Sequence, residues 1–589
     1  MAGSAIPNLV VINSHQILYP STTPTLTASY LFRKNRDTSF RSIEYAMASF
    51  SKTSLLSLAL TAIAIAGASP AGKVVESPAD ACSSVASTFT FPNARVNFAQ
   101  HVTAGTNLTL DTSTEDLKTC GYSTGQVVPV DLCRVSLYVA TSNRSGITME
   151  AWLPSNWTGR YLSTGNGGLN GCLSYSTMAY GTEFGFAAIG ANNGHNGTSG
   201  QPFYQNDDVV NDFAWRSLVT ETKVGKAITK AFYSQACTKS YYLGCSTGGR
   251  QGFKMAQSFP ELFDGIVAGA PAIAFNNLSS WSGHFLSITG TNTSSDFITA
   301  DKWSLIHADI LKQCDSLDGA EDGIIEDPSL CTYKPIALQC PSNATNTSTC
   351  LTPAQVTIVT GIFSPLYGEN GTLIYPRMQP GSEISAFYIV YNGLPFPYST
   401  DWYRYAIYND PTWDPTTLSP ADAAFAHAKD PFGIETWSGD LSSFRARGGK
   451  LLHYHGLMDG IISSDNSPRY YEHVATTMGL APSELDSFYR FFRLSGTGHC
   501  EGGDGAWQIG QVTGGRRDAE HNVLQRMIEW VEEGDDKAPE SVVGTRYVDG
   551  GAGGGAEVEY ERKHCKYPLR NKCVDQENWR SVDAWECVE

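Results

Sequence analysis

"YYLGCSTGGRQG", Tyr241–Gly252, sets a serine between a cysteine and a threonine, with glycines on both outer sides. Its centre, Gly244 to Gly248, fits G-x-S-x-G, the pattern of a strained strand-to-helix turn that exposes a serine hydroxyl. Alone, the pentapeptide reads equally well as a glycine-rich turn, because the chain holds 56 glycines in 589 residues. The flanking segments decide between the two. Tyr241–Leu243 is β-prone, and 249–258 suits a helix that ends before Pro260. "FDGIVAGAP", Phe263–Pro271, then reads as a second strand, an apolar run bounded by glycine and proline. Strand, helix and strand with short connections form a βαβ unit of a parallel sheet, which makes the fold class α/β.

Beyond Pro271 the character changes. Residues 271–449 are rich in Thr, Ser, Asn, Pro and aromatics, and strand-like patterning resumes at "KLLHYHG", Lys450–Gly456, and "FYRFFRL", Phe488–Leu494. The simplest account is an α/β domain over 69–270 and 450–589, interrupted by an insertion over 271–449. The tract "GGAGGGAE", Gly550–Glu557, reads as a surface loop.

The start of the chain has another logic. Met47, Lys52, the apolar run Leu55–Ala66 and the small residues Ala66 and Ala68 have the layout of a secretory signal over 47–68, too short to span a bilayer. Residues 1–46 then read as an upstream extension, and the alternative for the apolar run is a buried helix. The net charge is −17, and residues 1–68 hold more basic than acidic groups, so the processed chain is more acidic still. Such a surface repels phosphate backbones and argues against nucleic acid as partner. No later segment offers a long uncharged apolar span, so no membrane anchor is expected in the processed protein. Fourteen cysteines in an exported chain imply disulfides. Nine glycosylation acceptors point the same way: Asn107, Asn143, Asn156, Asn196, Asn277, Asn292, Asn343, Asn346 and Asn370.

A serine hydroxyl needs a base to become nucleophilic, and the base needs a carboxylate to fix its tautomer. In this fold they follow in the order serine, acid, histidine. The loop after 450–456 offers Asp459 and the loop after 488–494 offers His499, both glycine-flanked. Asp459 is also what a turn cap looks like, and His499 what a surface histidine looks like. His453 and His455 compete as base, although alternate residues on a strand read as sheet positions. The cysteines favour the first assignment. Cys245 directly precedes Ser246 and Cys500 directly follows His499, so a disulfide between them would hold serine and histidine within reach.

"GCSTGG", the Asp459 loop and "GHC" together resemble the fungal tannase and feruloyl esterase family, over nearly all of 69–589. The resemblance implies an α/β-hydrolase fold with a lid inserted before the acid. It implies Ser246 as nucleophile, Asp459 and His499 as its partners, and Cys245–Cys500 as their support. It also implies the pairs Cys82–Cys133, Cys120–Cys172, Cys314–Cys331, Cys340–Cys350 and Cys565–Cys587, leaving Cys237 and Cys573 over. Oxyanion donors are expected at Thr247, after the nucleophile, and in "TGNGGLNG", Thr164–Gly171, at Gly168 or else Gly167. In "CDSLDGAEDGIIEDPSLC", Cys314–Cys331, three aspartates crowd a glycine-punctuated loop, which a hard cation would relieve and which otherwise reads as a solvated acidic loop. The resemblance implies structural calcium there, far from the serine, held by the side chains of Asp315, Asp318 and Asp322 and the carbonyls of Ala320 and Ile324.

The expected activity is that of a secreted serine ester hydrolase releasing hydroxycinnamic acids from esterified plant cell-wall polysaccharide. Galloyl ester cleavage is the alternative within the class. Tannases of the family often carry a basic processing site in the lid, and no two basic residues adjoin between Ala270 and Gly449. A calcium-stabilised carbohydrate-binding protein without catalysis is the alternative from another class.

Overall fold

The computed structural model describes residues 77–589 apart from 554; the expected extension over 1–46 and signal over 47–68 lie outside the described residues. The frame is one sheet of nine strands. In chain order these are β1 (Ala94–Val102), β2 (Leu132–Ala140), β3 (Gly146–Pro154), β4 (Arg160–Thr164), β5 (Phe186–Ala191), β6 (Lys239–Cys245), β7 (Gly265–Gly269), β8 (Lys450–Gly456) and β9 (Tyr489–Leu494). They lie in the order β1-β2-β3-β5-β4-β6-β7-β8-β9. The β1, β2, β3 and β5 pairings are antiparallel, and every pairing from β5 through β4 to β9 is parallel. Strands buried on both faces read as continuous apolar runs, which is why "GIVAG" of β7 shows no alternation and all five of its residues are buried.

Helix α1 (Ser217–Tyr233) packs on the β3–β5 region, and α2 (Thr247–Ser258) on β6 and β7. The helix α2 starts two residues before the expected point, because Ser246 itself occupies the N-cap position, its carbonyl accepting the first helical bond from Arg250 N–H. Its close seat on the sheet requires glycine: a Cβ at Gly249 would stand 2.2 Å from the Gly269 carbonyl oxygen of β7.

Strands β7 and β8 pair directly in parallel, with Leu451 opposite Ile266 and Tyr454 opposite Gly269. Everything between them, 270–449, adds no strand to the main sheet. It folds mainly as helices, including α3 (Phe275–Thr289) and α4 (Ala300–Cys314), around Trp281, Trp303, Trp402 and Tyr403. Leu169, Phe203 and Phe213 of the preceding chain join the same buried cluster, so the insertion's core continues onto the sheet side. The glycine-rich tract 550–557 lies between the antiparallel strands β10 (Ser541–Tyr547) and β11 (Val558–Cys565).

Six disulfides form, with the pairing that the resemblance implies: Cys82–Cys133, Cys120–Cys172, Cys245–Cys500, Cys314–Cys331, Cys340–Cys350 and Cys565–Cys587. Cys237 and Cys573 are free. Among the described residues no helix is long and apolar enough to cross a membrane. Eight of the nine glycosylation acceptors are exposed; Asn277 is half-buried in the first turn of α3, next to buried Leu278 and Ser279.

Candidate active site

Strand β6 runs into α2 through Ser246, whose backbone sits at φ 64°, ψ −125°. A non-glycine residue at positive φ is strained, at a cost of order 1–3 kcal/mol, and persists only where its surroundings over-determine it. Here they do. The Ser246 N–H donates to Gly269 O at 3.0 Å, and its carbonyl accepts from the N–H groups of Arg250 and Ala272, each at 3.0 Å. Such a turn lifts the serine side chain out of the sheet at the C-terminal end of a central parallel strand, where ligands of open α/β sheets bind.

Asp459 follows β8 and is fully buried. Its Oδ1 accepts from the backbone N–H groups of Ile461 (2.8 Å) and Ile462 (2.9 Å). Its Oδ2 accepts from His499 Nδ1 at 2.6 Å. Burial alone would disfavour the charge. The His499 charge and the hydrogen bonds from His455 and His499 outweigh it, and the carboxyl is held well below the usual carboxylate range. An ionised carboxylate only accepts, so His499 must carry a hydrogen on Nδ1 toward Asp459, leaving Nε2 as the basic nitrogen.

The disulfide Cys245–Cys500 spans 255 residues of sequence and joins the neighbours of Ser246 and His499, with its Cα atoms 5.9 Å apart. Among the described residues no hydrogen bond joins Ser246 Oγ to His499. Catalytic hydrogen bonds commonly close only when substrate binds. Replacing both cysteines by alanine is expected to lower kcat by about 10²-fold with KM little changed, because a displacement near 1 Å costs that much in rate. The loop closed is long, so stability falls too, by at most about 5 kcal/mol in the chain-entropy model. Assaying the double variant well below its own melting point separates the two effects, and full kcat there would reduce the bond to a structural staple.

Both expected oxyanion donors lie together. Thr247 Oγ1 donates to Gly168 O at 2.7 Å, tying the helix start to the loop after β4. That loop is braced by Asn166, whose N–H donates to Gln251 Oε1 and whose Nδ2 donates to the Cys172 and Ala191 carbonyls. Gly168 has φ +51°, and a Cβ there would stand 2.6 Å from Tyr398 Cζ, so this position requires glycine. Tyr398 belongs to the insertion, which thus forms a wall of the site.

His453 and His455, the competing bases, are both buried in β8 as sheet positions. Sequence reasoning missed that His455 Nε2 also reaches Asp459 Oδ2, at 3.1 Å. The signal was the i, i+4 spacing of His455 and Asp459 across the end of a strand, which does not fix which way a loop turns.

The acidic loop fits a cation in part. Asp318 is buried and its carboxyl is pushed up to about 8, first by burial and then by the charges of Glu326 and Asp322, an arrangement that a divalent ion would stabilise. All three carboxylates are engaged: Asp318 accepts from Ala320 N–H at 2.8 Å, Asp315 from Gly323 N–H, and Asp322 from Ile324 N–H and from Arg562 Nη2 at 2.5 Å. The loop packs beside the loops that follow β8 and β9. Gly323, Ile324 and Ile325 line one small cavity with Leu457, Met458 and Gly496, and a Cβ at Gly496 would stand 3.0 Å from Ile324 Cγ2. Among the described residues Asp518, Glu520 and His521 form a separate group with ligand atoms within 4.8 Å of one another.

A strained serine after a central strand, a buried acid after β8 and a half-buried histidine after β9 define the α/β-hydrolase class. The chain belongs to the tannase and feruloyl esterase family, whose model matches residues 133–411 and 423–588. It is 55% identical over 509 residues to the probable feruloyl esterase B-2 of Aspergillus terreus, covering 86% of this chain and 95% of that protein. The crystal structure of feruloyl esterase B from Aspergillus oryzae superposes with a TM-score of 0.83 at 51% identity, over 87% of this chain and all of that one. Tannin acyl hydrolase from Aspergillus niger, at 20% identity and a TM-score of 0.67 over 87% of this chain and 96% of that one, shares the fold.

Proposed function

We infer that the protein is a secreted feruloyl esterase that releases hydroxycinnamic acids from esterified plant cell-wall polysaccharide. The observation that carries the substrate class is the 55% identity to a probable feruloyl esterase B-2 over 95% of that protein's length. Export is supported by the six disulfides, which form and persist in oxidising compartments.

In the first half-reaction Ser246 Oγ attacks the ester carbonyl as His499 Nε2 takes its proton. Asp459 holds the Nδ1–H tautomer and stabilises the imidazolium that forms. The backbone N–H groups of Thr247 and Gly168 receive the oxyanion. Collapse of the tetrahedral intermediate expels the sugar hydroxyl, which takes the proton back from His499, and leaves a feruloyl-serine. In the second half-reaction water gives its proton to His499 as it attacks the acyl carbon. The acid departs and Ser246 is reprotonated. Initial rates on methyl ferulate, caffeate, sinapate and gallate test the reading; a preference for gallate would replace it with the tannase alternative.

Calcium, if held by Asp315, Asp318, Asp322 and the Ala320 and Ile324 carbonyls, supplies charge compensation to the acidic loop and no chemistry. Chelation or Asp318→Ala is expected to lower the melting temperature while Ser246 in the still-folded protein continues to react with a fluorophosphonate probe. Protein purified without chelator and found by elemental analysis to hold no calcium would overturn the site.

A further inference from the structure

Asp459 Oδ2 accepts from two imidazoles, and only one of them belongs to the base. The second, His455, starts a chain of buried side chains. His455 Nδ1 lies 2.6 Å from Ser467 Oγ. Ser467 Oγ lies 2.9 Å from His453 Nε2, and His453 Nδ1 lies 3.0 Å from Tyr489 Oη. Neither histidine, nor Asp459, nor Tyr489 has any exposed surface, and Ser467 has almost none. The residues come from β8, from β9 and from the helix α5 (Asn466–Met478).

The chemistry of each group sets the hydrogens. A carboxylate only accepts, so His455 Nε2 must be the N–H, and with the ring neutral its Nδ1 is a bare acceptor. Ser467 has one hydrogen and must give it to that nitrogen. Its oxygen then accepts from His453, whose Nε2 is therefore the N–H. Burial holds His453 well below the usual histidine range, which favours the neutral ring, and with Nε2 as the N–H its Nδ1 accepts from the Tyr489 hydroxyl. All four hydrogen bonds point the same way, from Tyr489 to Asp459, and bonds aligned in this way polarise one another in a dry interior.

We propose that His455 is a positioning residue for the catalytic acid: it holds Asp459 Oδ2 in place against His499, and Ser467, backed by His453 and Tyr489, holds His455 in the one tautomer that can do so. The proposal rests on the assignment of Asp459 to the triad. With two backbone amides on Oδ1 and His455 beside His499 on Oδ2, the carboxylate cannot turn about its last bond without losing donors on both oxygens. Partners behind a site residue fix orientation in this manner at metal centres as well.

The test compares kcat and KM on methyl ferulate for the purified full chain and for His455→Phe, His455→Gln, Ser467→Ala and the Ser467→Ala/His455→Gln double variant, each checked for a cooperative melt. His455→Phe keeps a ring of similar size and removes the donor; kcat is expected to fall ~10²-fold with KM nearly unchanged, the signature of a lost orientation. Glutamine carries an N–H close to the place of imidazole Nε2, so His455→Gln is expected to restore most of the rate. Ser467→Ala is expected to lower kcat several-fold, on the order of 3 to 10, in the wild-type background and not further in the His455→Gln background, because an amide has no tautomer to fix. A folded His455→Phe with wild-type kcat overturns the proposal. So does a His455→Gln as impaired as His455→Phe, or a Ser467→Ala effect, including none, that is equal in both backgrounds. If His455→Phe does not fold, the glutamine and alanine cycle decides alone. Asp459→Asn is the reference: full activity there would remove the triad assignment itself, whereas an inactive Asp459→Asn beside an unimpaired His455→Phe would remove only the role of His455.

Discussion

Ser246→Ala and His499→Ala are each expected to abolish ester hydrolysis, with kcat lower by about 10⁵–10⁶-fold if the triad acts as a unit. The expectation follows from the division of labour in the site. Ser246 occupies a strained turn at the end of β6 that presents its hydroxyl for attack. His499, with Nδ1 committed to Asp459 at 2.6 Å, has a single free basic nitrogen. Removing either breaks the same proton transfer, so the two losses should be similar in size and the double variant scarcely worse than either single one. Labelling by a fluorophosphonate probe should vanish in Ser246→Ala, and near-normal turnover in either folded variant would dismiss the assignment.

Asp459→Asn is expected to cost about 10⁴-fold in kcat, the size seen when an active-site histidine is held in the wrong tautomer. The structure says why the amide cannot hide. Asparagine keeps one oxygen and gains one NH2, yet all four contacts to Asp459 are donors: the Ile461 and Ile462 amides, His455 and His499. The backbone amides are fixed, whereas imidazoles can move a hydrogen between ring nitrogens, so the NH2 settles toward the histidines. His499 is then forced to accept at Nδ1 and to carry its hydrogen on Nε2, where it cannot take a proton from Ser246. Asp459→Asn at wild-type kcat, with a normal melt, would show that His499 draws its orientation from elsewhere.

Much of the frame was legible because it is local or punctuated. "YYLGCSTGGRQG" carries a strand, a turn and a helix in twelve consecutive letters, and Cys245 and Cys500 mark their neighbours as partners across 255 residues. The antiparallel strands β1 to β3 were not readable, since edge pairing is settled by which surface the rest of the chain leaves open. Nor was the link from His455 to Ser467. Both are ordinary residues in their own elements, and only the turn of α5 back over β8 brings them to 2.6 Å. The packing of the acidic loop against the catalytic loops was hidden for a similar reason. Nothing in Cys314–Cys331 shows that Ile324 packs beside Gly496, three residues before the base. The acceptor at Asn277 shows the limit of a three-letter pattern, because the pattern knows the sequon and not the helix that half-buries it.

The direct pairing of β7 with β8 has a consequence for how such an enzyme changes over generations. The chain leaves the sheet at Gly269, the end of β7, and returns at Lys450, opposite Gly265 at the start of that strand, so the ends of the insertion are held one strand length apart whatever lies between them. A longer loop between fixed ends adds only slowly to the entropy of closure. The nucleophile is encoded before that excursion, and the acid and the base after it. Substitutions, insertions and deletions that reshape the wall around Tyr398 can therefore accumulate in one continuous stretch of the gene without disturbing the register that aligns Ser246, Asp459 and His499. Selection can then explore new esters and keep the chemistry untouched.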